Sequence, residues 1–377
     1  MAWSRPAAWL TVLLASVATP ALALDQLGIP MPEREDPRLE VVFESPRIWN
    51  GATIDPSSGE VFAVYPLLDG AGAQVTRLTG RESAEPYPDA AWNQWDESEP
   101  GRHFLHANAL RIGPDGHLWV VDSGVAQGES RRTPGAGKLV EIDPASDQVI
   151  NVHVVPDEVL HDESFINDIR FDGDFIYAAD SGAPGILVFD RKAGEFSRVL
   201  DGHPLATSIR PIHANGAPQL ESDGSPAVVH ADQLEVSPDG RYFYFQPVGG
   251  PMARIETRWL KDPALRAEAD DHVEEWADTP STGGTAIDAE GNIYVADTNA
   301  RRILRFDPNG EHQQLIEDPR LISPDALWID AEGWLWIPAT QMSLLGTDDG
   351  QVPNSVEYPI QLLRMKIDAK PAPNDHG

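Results

Sequence analysis

The sequence predicts an all-β fold, a six-bladed β-propeller closed by an N-terminal strand in the last blade. Three observations carry this expectation. A unit of two short apolar runs around a tight turn, seen as FINDIRFDGDFIYAADSG at 165–182, recurs at 49–66, 107–124, 231–247, 283–299 and 325–340. Aligned on their first runs, the copies begin at Asn50, Asn108, Asn167, Asp232, Gly283 and Asp325, so they lie 58, 59, 65, 51 and 42 residues apart. Repeats of this period built from paired short strands mark a propeller. Each copy also alternates apolar and polar residues, which gives a strand pair with apolar faces that only neighbouring copies can cover.

Taken in order, the chain opens with a segment that stands apart from the repeats. Residues 1–23 carry Arg5, an apolar run over 7–17 and the small-residue pattern Ala21-Leu22-Ala23, which together read as a cleavable signal peptide. The run is too short for a membrane span, and no other stretch approaches the length one needs. The expectation is therefore a periplasmic or secreted protein with no membrane span. Residues 24–370 form the propeller, and 371–377 a disordered tail. Residues 39–43 (LEVVF) read as a strand and supply the outer strand of the last blade.

Third strands are expected at 138–143, 185–190, 301–307 and 360–367, with weaker fourth strands at 149–155, 195–200 and 311–317. Turns such as Asp307-Pro308-Asn309-Gly310 separate them. Residues 257–276 allow one short helix, interrupted by Pro263. Two stretches, 69–104 and 203–229, are too long for blade turns and are expected to cover one mouth of the channel.

Composition narrows the partners. The chain has no cysteine, which excludes disulfides, thiol catalysis and thiolate metal sites. Its formal charge of −32 disfavours nucleic acid and anionic lipid. The expected partner is a small-molecule ligand, and the expected state a monomer. The dinucleotide, phosphate-loop, HExxH, GxSxG and EF-hand signatures do not occur.

In a propeller the innermost strands surround a channel, and their first residues gather at one mouth. That places Asn50, Asn108, Asn167, Asp232 and Asp325 together, with Asp168 beside Asn167, and His106 and His230 two residues ahead of their strand starts. Carboxamide and carboxylate oxygens suit a hard divalent cation, Ca²⁺, Mg²⁺ or Mn²⁺. Asn108, Asn167 and Asp232 are the expected metal ligands, and Asn50, Asp168 and Asp325 the ligand-binding residues. His106 and His230 are the expected catalytic groups, because imidazole exchanges protons near neutral pH. Asn and Asp at strand starts equally well hold turns. Asp122, Asp180 and Asp297, repeated at the ends of second strands, are assigned to turns rather than chemistry.

The runs EPYPDAAWNQW (85–95), NALRIGPDGHLWVVDSGV (108–125), FINDIRFD (165–172), IYAADSGAPGILVFD (176–190), LEVSPDGRYFYFQPVGG (234–250) and SPDALWI (323–329) resemble the yellow/major royal jelly protein family, in its bacterial branch. The resemblance implies a secreted six-bladed propeller, in a family whose members include proteins linked to dopachrome conversion, amine-binding salivary proteins and nutritive proteins. It thus implies a small polar or aromatic ligand at the channel mouth and admits a dopachrome-type tautomerase. A fold-level likeness to the gluconolactonase/regucalcin group implies instead a metal-dependent lactonase, whose metal sits on a glutamate, two asparagines and an aspartate. Asn108, Asn167 and Asp232 match that set. Asn50 stands where the glutamate belongs, and Glu44 lies too early. A protein-interaction scaffold using the blade edges is the third reading.

Overall fold

A computed structural model describes residues 27–221, 223–346 and 353–375. The expected signal peptide lies outside them. The described chain forms six four-stranded antiparallel sheets, arranged as the blades of a propeller. The inner strands are Gly51–Ile54, Ala107–Ile112, Ile166–Asp172, Ala231–Val236, Thr282–Ile287 and Trp328–Ile329, for blades 1 to 6. In blade 6 the outer strand is Leu39–Ser45, which pairs antiparallel with Ile360–Lys366. The first and last parts of the ring therefore share one sheet.

Apolar residues of each blade's two faces interlock with the next blade. Phe62 packs on Tyr87 at 4.6 Å within blade 1, and Tyr177 of blade 3 packs on Phe243 of blade 4 at 4.7 Å. Trp119, Trp328 and Phe171 are almost completely buried between blades. Each such ring contributes roughly 2–3 kcal/mol by leaving water.

Two expectations about loops are corrected. Part of 69–104 is blade structure, because Val75–Gly80 and Ser83–Pro86 are the outer strands of blade 1. These strands escape the sequence pattern because Ser83–Pro86 is exposed along its whole length and shows no apolar alternation. The expected disordered tail also fails for 371–375. Pro371 bridges Asp288, Ala372 is buried, and Asp375 lies 3.6 Å from Arg111. By contrast, 203–229 does run over the channel mouth, with a small hairpin at His213–Ala214 and Ala217–Pro218. Between the third and fourth strands of blade 4 lie the helical turn Arg258–Lys261 and a 3₁₀ segment, Arg266–His272. Among the described residues no helix is long and apolar enough to cross a membrane.

Candidate functional site

The inner strands of blades 2 to 5 lose register at their first residues: between Ala107 and Ala109, Ile166 and Ile169, Ala231 and Gln233, and Thr282 and Thr285. A bulge leaves the extra residue out of the ladder and re-aims its side chain. Asn108, Asn167 and Asp232 fall at these bulges and line the channel. Asn50, just before blade 1, and Asp325, just before blade 6, join them. Blade 5 contributes glycine for a steric reason. A Cβ on Gly283 would stand 2.4 Å from the Pro324 carbonyl, and one on Gly284 would stand 2.4 Å from the Ala326 nitrogen.

Five oxygen-bearing side chains from five blades thus meet at one mouth. The carboxamides form a directed chain. Asn50 Nδ2 reaches Asn108 Oδ1 at 3.5 Å, Asn108 Nδ2 donates to Asn167 Oδ1 at 3.0 Å, and Asn167 Nδ2 donates to Asp232 Oδ1 and, at 3.1 Å, to Ser181 Oγ. Gln233 Nε2 donates to the other Asp232 oxygen. Two oxygens at the edges of this chain, Asn50 Oδ1 and Gln233 Oε1, are buried without a hydrogen-bond partner. Buried polar atoms seldom stay unpaired.

Charge sharpens the picture. Asp232 and Asp325 have no Lys or Arg ion-pair partner among the described residues. Burial pushes the Asp232 carboxyl well above its usual range, and the charges of Asp325 and Asp168 push it further. Burial likewise raises Asp325 to about 8, against a bond from the Ala326 N–H and with help from Asp168. Both side chains keep a partial opening toward the channel, so solvent moderates these shifts. Asp168 differs. Burial raises its pKa, but Arg170 and Arg111 outweigh it and hold the carboxyl below the ordinary value. It bonds Arg170 Nη1 at 2.5 Å, and Arg170 is also paired with Glu235 at 3.0 Å. Asp168 therefore faces a buried ion network one layer below the mouth and lines a small void of about 30 Å³ there.

The histidines separate. His106 lines the mouth, with Nδ1 2.9 Å from the Val125 carbonyl and Nε2 2.9 Å from the Pro66 carbonyl, and its ring meets Phe165 edge-on. Both ring nitrogens are thus engaged by backbone oxygens. His230 Nδ1 accepts from the Ser208 N–H at 3.1 Å, and the ring is not part of the cavity wall. Burial lowers its proton affinity, with Asp180 opposing.

Above the ring of oxygens lies a cavity of about 590 Å³. Its walls are mostly apolar, with Leu68, Val125, Phe165, Ile212, Val248 and Met342. Ile212, Val228 and Val229 come from the 203–229 segment, which is pinned to the ring. Asn215 Nδ2 donates to Ser343 Oγ at 2.8 Å, and Arg301 Nε donates to Asn215 Oδ1 at 2.7 Å. Glu129 and Glu163 stand at the rim, and among the described residues no Lys or Arg lines the cavity.

The turn aspartates brace the approach to this site. Asp122 accepts from the Leu105 and His106 N–H groups at 2.8 and 3.1 Å, and Asp180 accepts from Phe165 N–H at 2.9 Å. Each has a cation from its own blade, Lys138 Nζ at 2.6 Å on the third strand of blade 2 and Arg198 Nη1 at 2.8 Å on the fourth strand of blade 3, and Arg302 Nε on the third strand of blade 5 bonds Asp297 at 2.6 Å.

A further group with metal-ligand chemistry, Asp115, His117 and Glu141, lies away from the mouth. Its charge is already met. Arg191 sits 2.7 Å from Asp115 and 3.9 Å from Glu141, and His117 Nδ1 lies 2.7 Å from Glu141. Burial raises the Glu141 pKa, and the nearby His153 ring together with bonds from Asn151 and His117 overcomes this and brings it down to about 2.

The family model for the major royal jelly proteins matches residues 107–372. The chain belongs to that family. Among curated proteins none matches the sequence significantly. Solved structures similar to this family member include a calcium-binding regucalcin from Agrobacterium tumefaciens, at 15% identity and TM-score 0.54, covering 91% of this chain and 96% of that one. A gluconolactonase from Xanthomonas campestris is 14% identical with TM-score 0.54, covering 93% and 99%. A luciferin-regenerating enzyme is 10% identical with TM-score 0.56, covering 91% and 97%. At these identities the likeness establishes the propeller fold.

Sequence reasoning missed Gln233, Ser181 and the wall residues of 203–229. Gln233 follows Asp232 directly, and a regular strand would send the two to opposite faces. The bulge that brings both to the channel leaves no mark in the residue pattern.

Proposed function

We propose that the channel mouth is a divalent-cation centre that binds a small, uncharged, largely apolar carbonyl compound and hydrolyses it, with a lactone as the substrate class. The observation that carries the reading is the meeting of three carboxamides and two carboxylates without a paired cation, together with the orphaned Asn50 Oδ1. Two half-buried carboxylates without a counter-charge are costly, and a hard cation removes that cost while using the oxygens present. The residues present therefore fit such an ion. Asn50, Asn108, Asn167, Asp232 and Asp325 would hold it.

A cation bound there would polarise a ligand carbonyl and acidify water. The protein's own groups do the rest. Asp325 Oδ1 accepts from the Ala326 N–H at 2.7 Å, while Oδ2 has no hydrogen bond among the described residues, so Oδ2 is the atom placed to take a proton from water. The Asn50–Asn108–Asn167 chain fixes Asp232 by delivering an N–H to it. The apolar walls exclude water and favour a ligand with apolar substituents over a polyhydroxylated one, whose hydroxyls would lose their hydrogen bonds. The rim glutamates disfavour anions and so assist release of a carboxylate product.

The names of the regucalcin and gluconolactonase structures are consistent with this reading. The tautomerase alternative draws less support, since neither histidine offers a free nitrogen to the cavity other than by breaking a bond or turning its ring. We further propose that residues 1–23 are removed on export and that the mature chain acts as a monomer. Mass measurement of the purified protein tests the first, and light scattering the second.

The experiment for the main reading is dialysis against a chelator, followed by a lactone panel with Ca²⁺, Mg²⁺ or Mn²⁺ restored singly. Hydrolysis that returns with one of these ions is the expected result. No turnover with any ion, alongside measurable ion binding, would reduce the site to a binding centre. No ion binding at all would overturn the proposal.

A further inference from the structure

A second cavity of about 320 Å³ lies away from the channel, between the strand Leu39–Ser45 and the outer strands of blade 1. Phe43, Tyr65 and Leu78 give it apolar and aromatic walls. Trp49 and Thr76 also line it, and they are 1% and 4% exposed. The Trp49 indole Nε1 and the Thr76 hydroxyl are buried with no hydrogen-bond partner. An indole N–H can only donate, so one of these groups calls for an acceptor from outside the chain. The space is about ten times the volume a single water occupies in the liquid.

We propose that this cavity is a second binding site, taking a small, neutral, planar ring compound that carries a carbonyl oxygen. The ring would lie among the aromatic walls, and the carbonyl would accept from Trp49 Nε1 or Thr76 Oγ1. Neutrality follows from the charges around it. The Arg47 guanidinium lies 4.8 Å over the Tyr65 ring and 4.0 Å from Asp69, and Arg81 pairs with Glu44 at 2.9 Å. Arg47 Nη1 also donates to the Ala73 carbonyl at 2.7 Å, so an ionic ligand would compete with the Arg81–Glu44 pair and with a bond that Arg47 already makes, while the unpartnered Arg47 Nε can serve a neutral acceptor. The cavity lies beside the strand that the chain contributes to blade 6 before entering blade 1, so an occupant also bridges the two ends of the ring. The proposal is independent of the chemistry at the channel, because Trp49 and Thr76 are not among the channel-lining residues.

The test uses the full-length protein with ¹⁵N-labelled tryptophan, whose indole N–H signals are resolved individually. The signal missing in Trp49→Phe identifies Trp49. Titration with acetophenone should move that signal and saturate, while ethylbenzene, which has the ring but no acceptor, should move it far less. Thr76→Val keeps the side-chain shape and should weaken acetophenone binding by about tenfold, the loss expected for one buried hydrogen bond. If Trp49→Phe does not fold, the signal perturbed in Thr76→Val without ligand gives the assignment. A Trp49 signal that stays fixed, or that responds equally to both compounds, overturns the proposal. Binding unchanged in Thr76→Val and Trp49→Phe overturns it as well.

Discussion

Replacing Asp325 by asparagine in the cation-free protein should make it more stable, and increasingly so as the pH rises. In the native state the Asp325 carboxyl is raised from 3.8 to about 8. Between those two values the unfolded chain is ionised at this residue while the native chain keeps its proton. The stability attached to this group is therefore complete below about pH 4 and lost progressively as the pH rises through about 8. A shift of roughly four units corresponds to a ceiling of about 6 kcal/mol. Solvent reaching the carboxyl from the channel reduces this to an expected 2–3 kcal/mol or so. In Asp325→Asn the isosteric amide has no charge to bury, so the penalty vanishes. Denaturant unfolding in chelator at pH 4, 6 and 8.5 reads the difference. The variant and wild type should be close at pH 4, and the variant ahead at pH 8.5. Saturating Ca²⁺ should reverse the order, since an ion at 100 times its Kd stabilises the wild type by about 2.7 kcal/mol. Parallel curves for the two proteins in chelator would refute the account of an uncompensated carboxylate, because the general acidity of the chain acts equally on both.

Further outcomes follow from other parts of the site. Asn167→Ala breaks the amide chain at its centre and should raise the Kd for a divalent cation at least tenfold by calorimetry, with an unchanged far-ultraviolet spectrum; unaltered affinity would remove Asn167 from the ion site. Lys138→Met leaves the fully buried Asp122 without its cation and should cost about 3 kcal/mol in denaturant unfolding, at the lower end for a broken buried pair because three backbone N–H groups still hold the carboxylate; a loss under about 1 kcal/mol would show that those bonds suffice. His106→Gln removes a ring held between two carbonyls and should lower stability by about 1–2 kcal/mol while leaving turnover within a few-fold. Abolished activity at unchanged stability would restore the histidine to a proton-transfer role.

The sequence by itself determined the ring. Six copies of one strand pair, with apolar residues on both faces, have few ways to hide those faces, and the positions of Asn50, Asn108, Asn167, Asp232 and Asp325 followed from their common place in the repeat. The same logic separated Asp122, Asp180 and Asp297 from the chemistry, since a residue repeated at a turn does the work of a turn. Where the pattern was silent, only the tertiary structure decided. The fully exposed strand Ser83–Pro86 leaves no alternation to read. The bulge at Asp232 carries Gln233 to the channel against the strand's period, and Arg170 with Arg111 draws Asp168 down from the mouth. The two histidines, equivalent by register, part because one finds two carbonyls beside the channel and the other a backbone N–H away from it. Repeat position is a local property, set by the period of the chain. Which way a polar side chain finally turns depends on the charges and hydrogen-bond partners that distant segments bring beside it, and these exist only once the ring has closed.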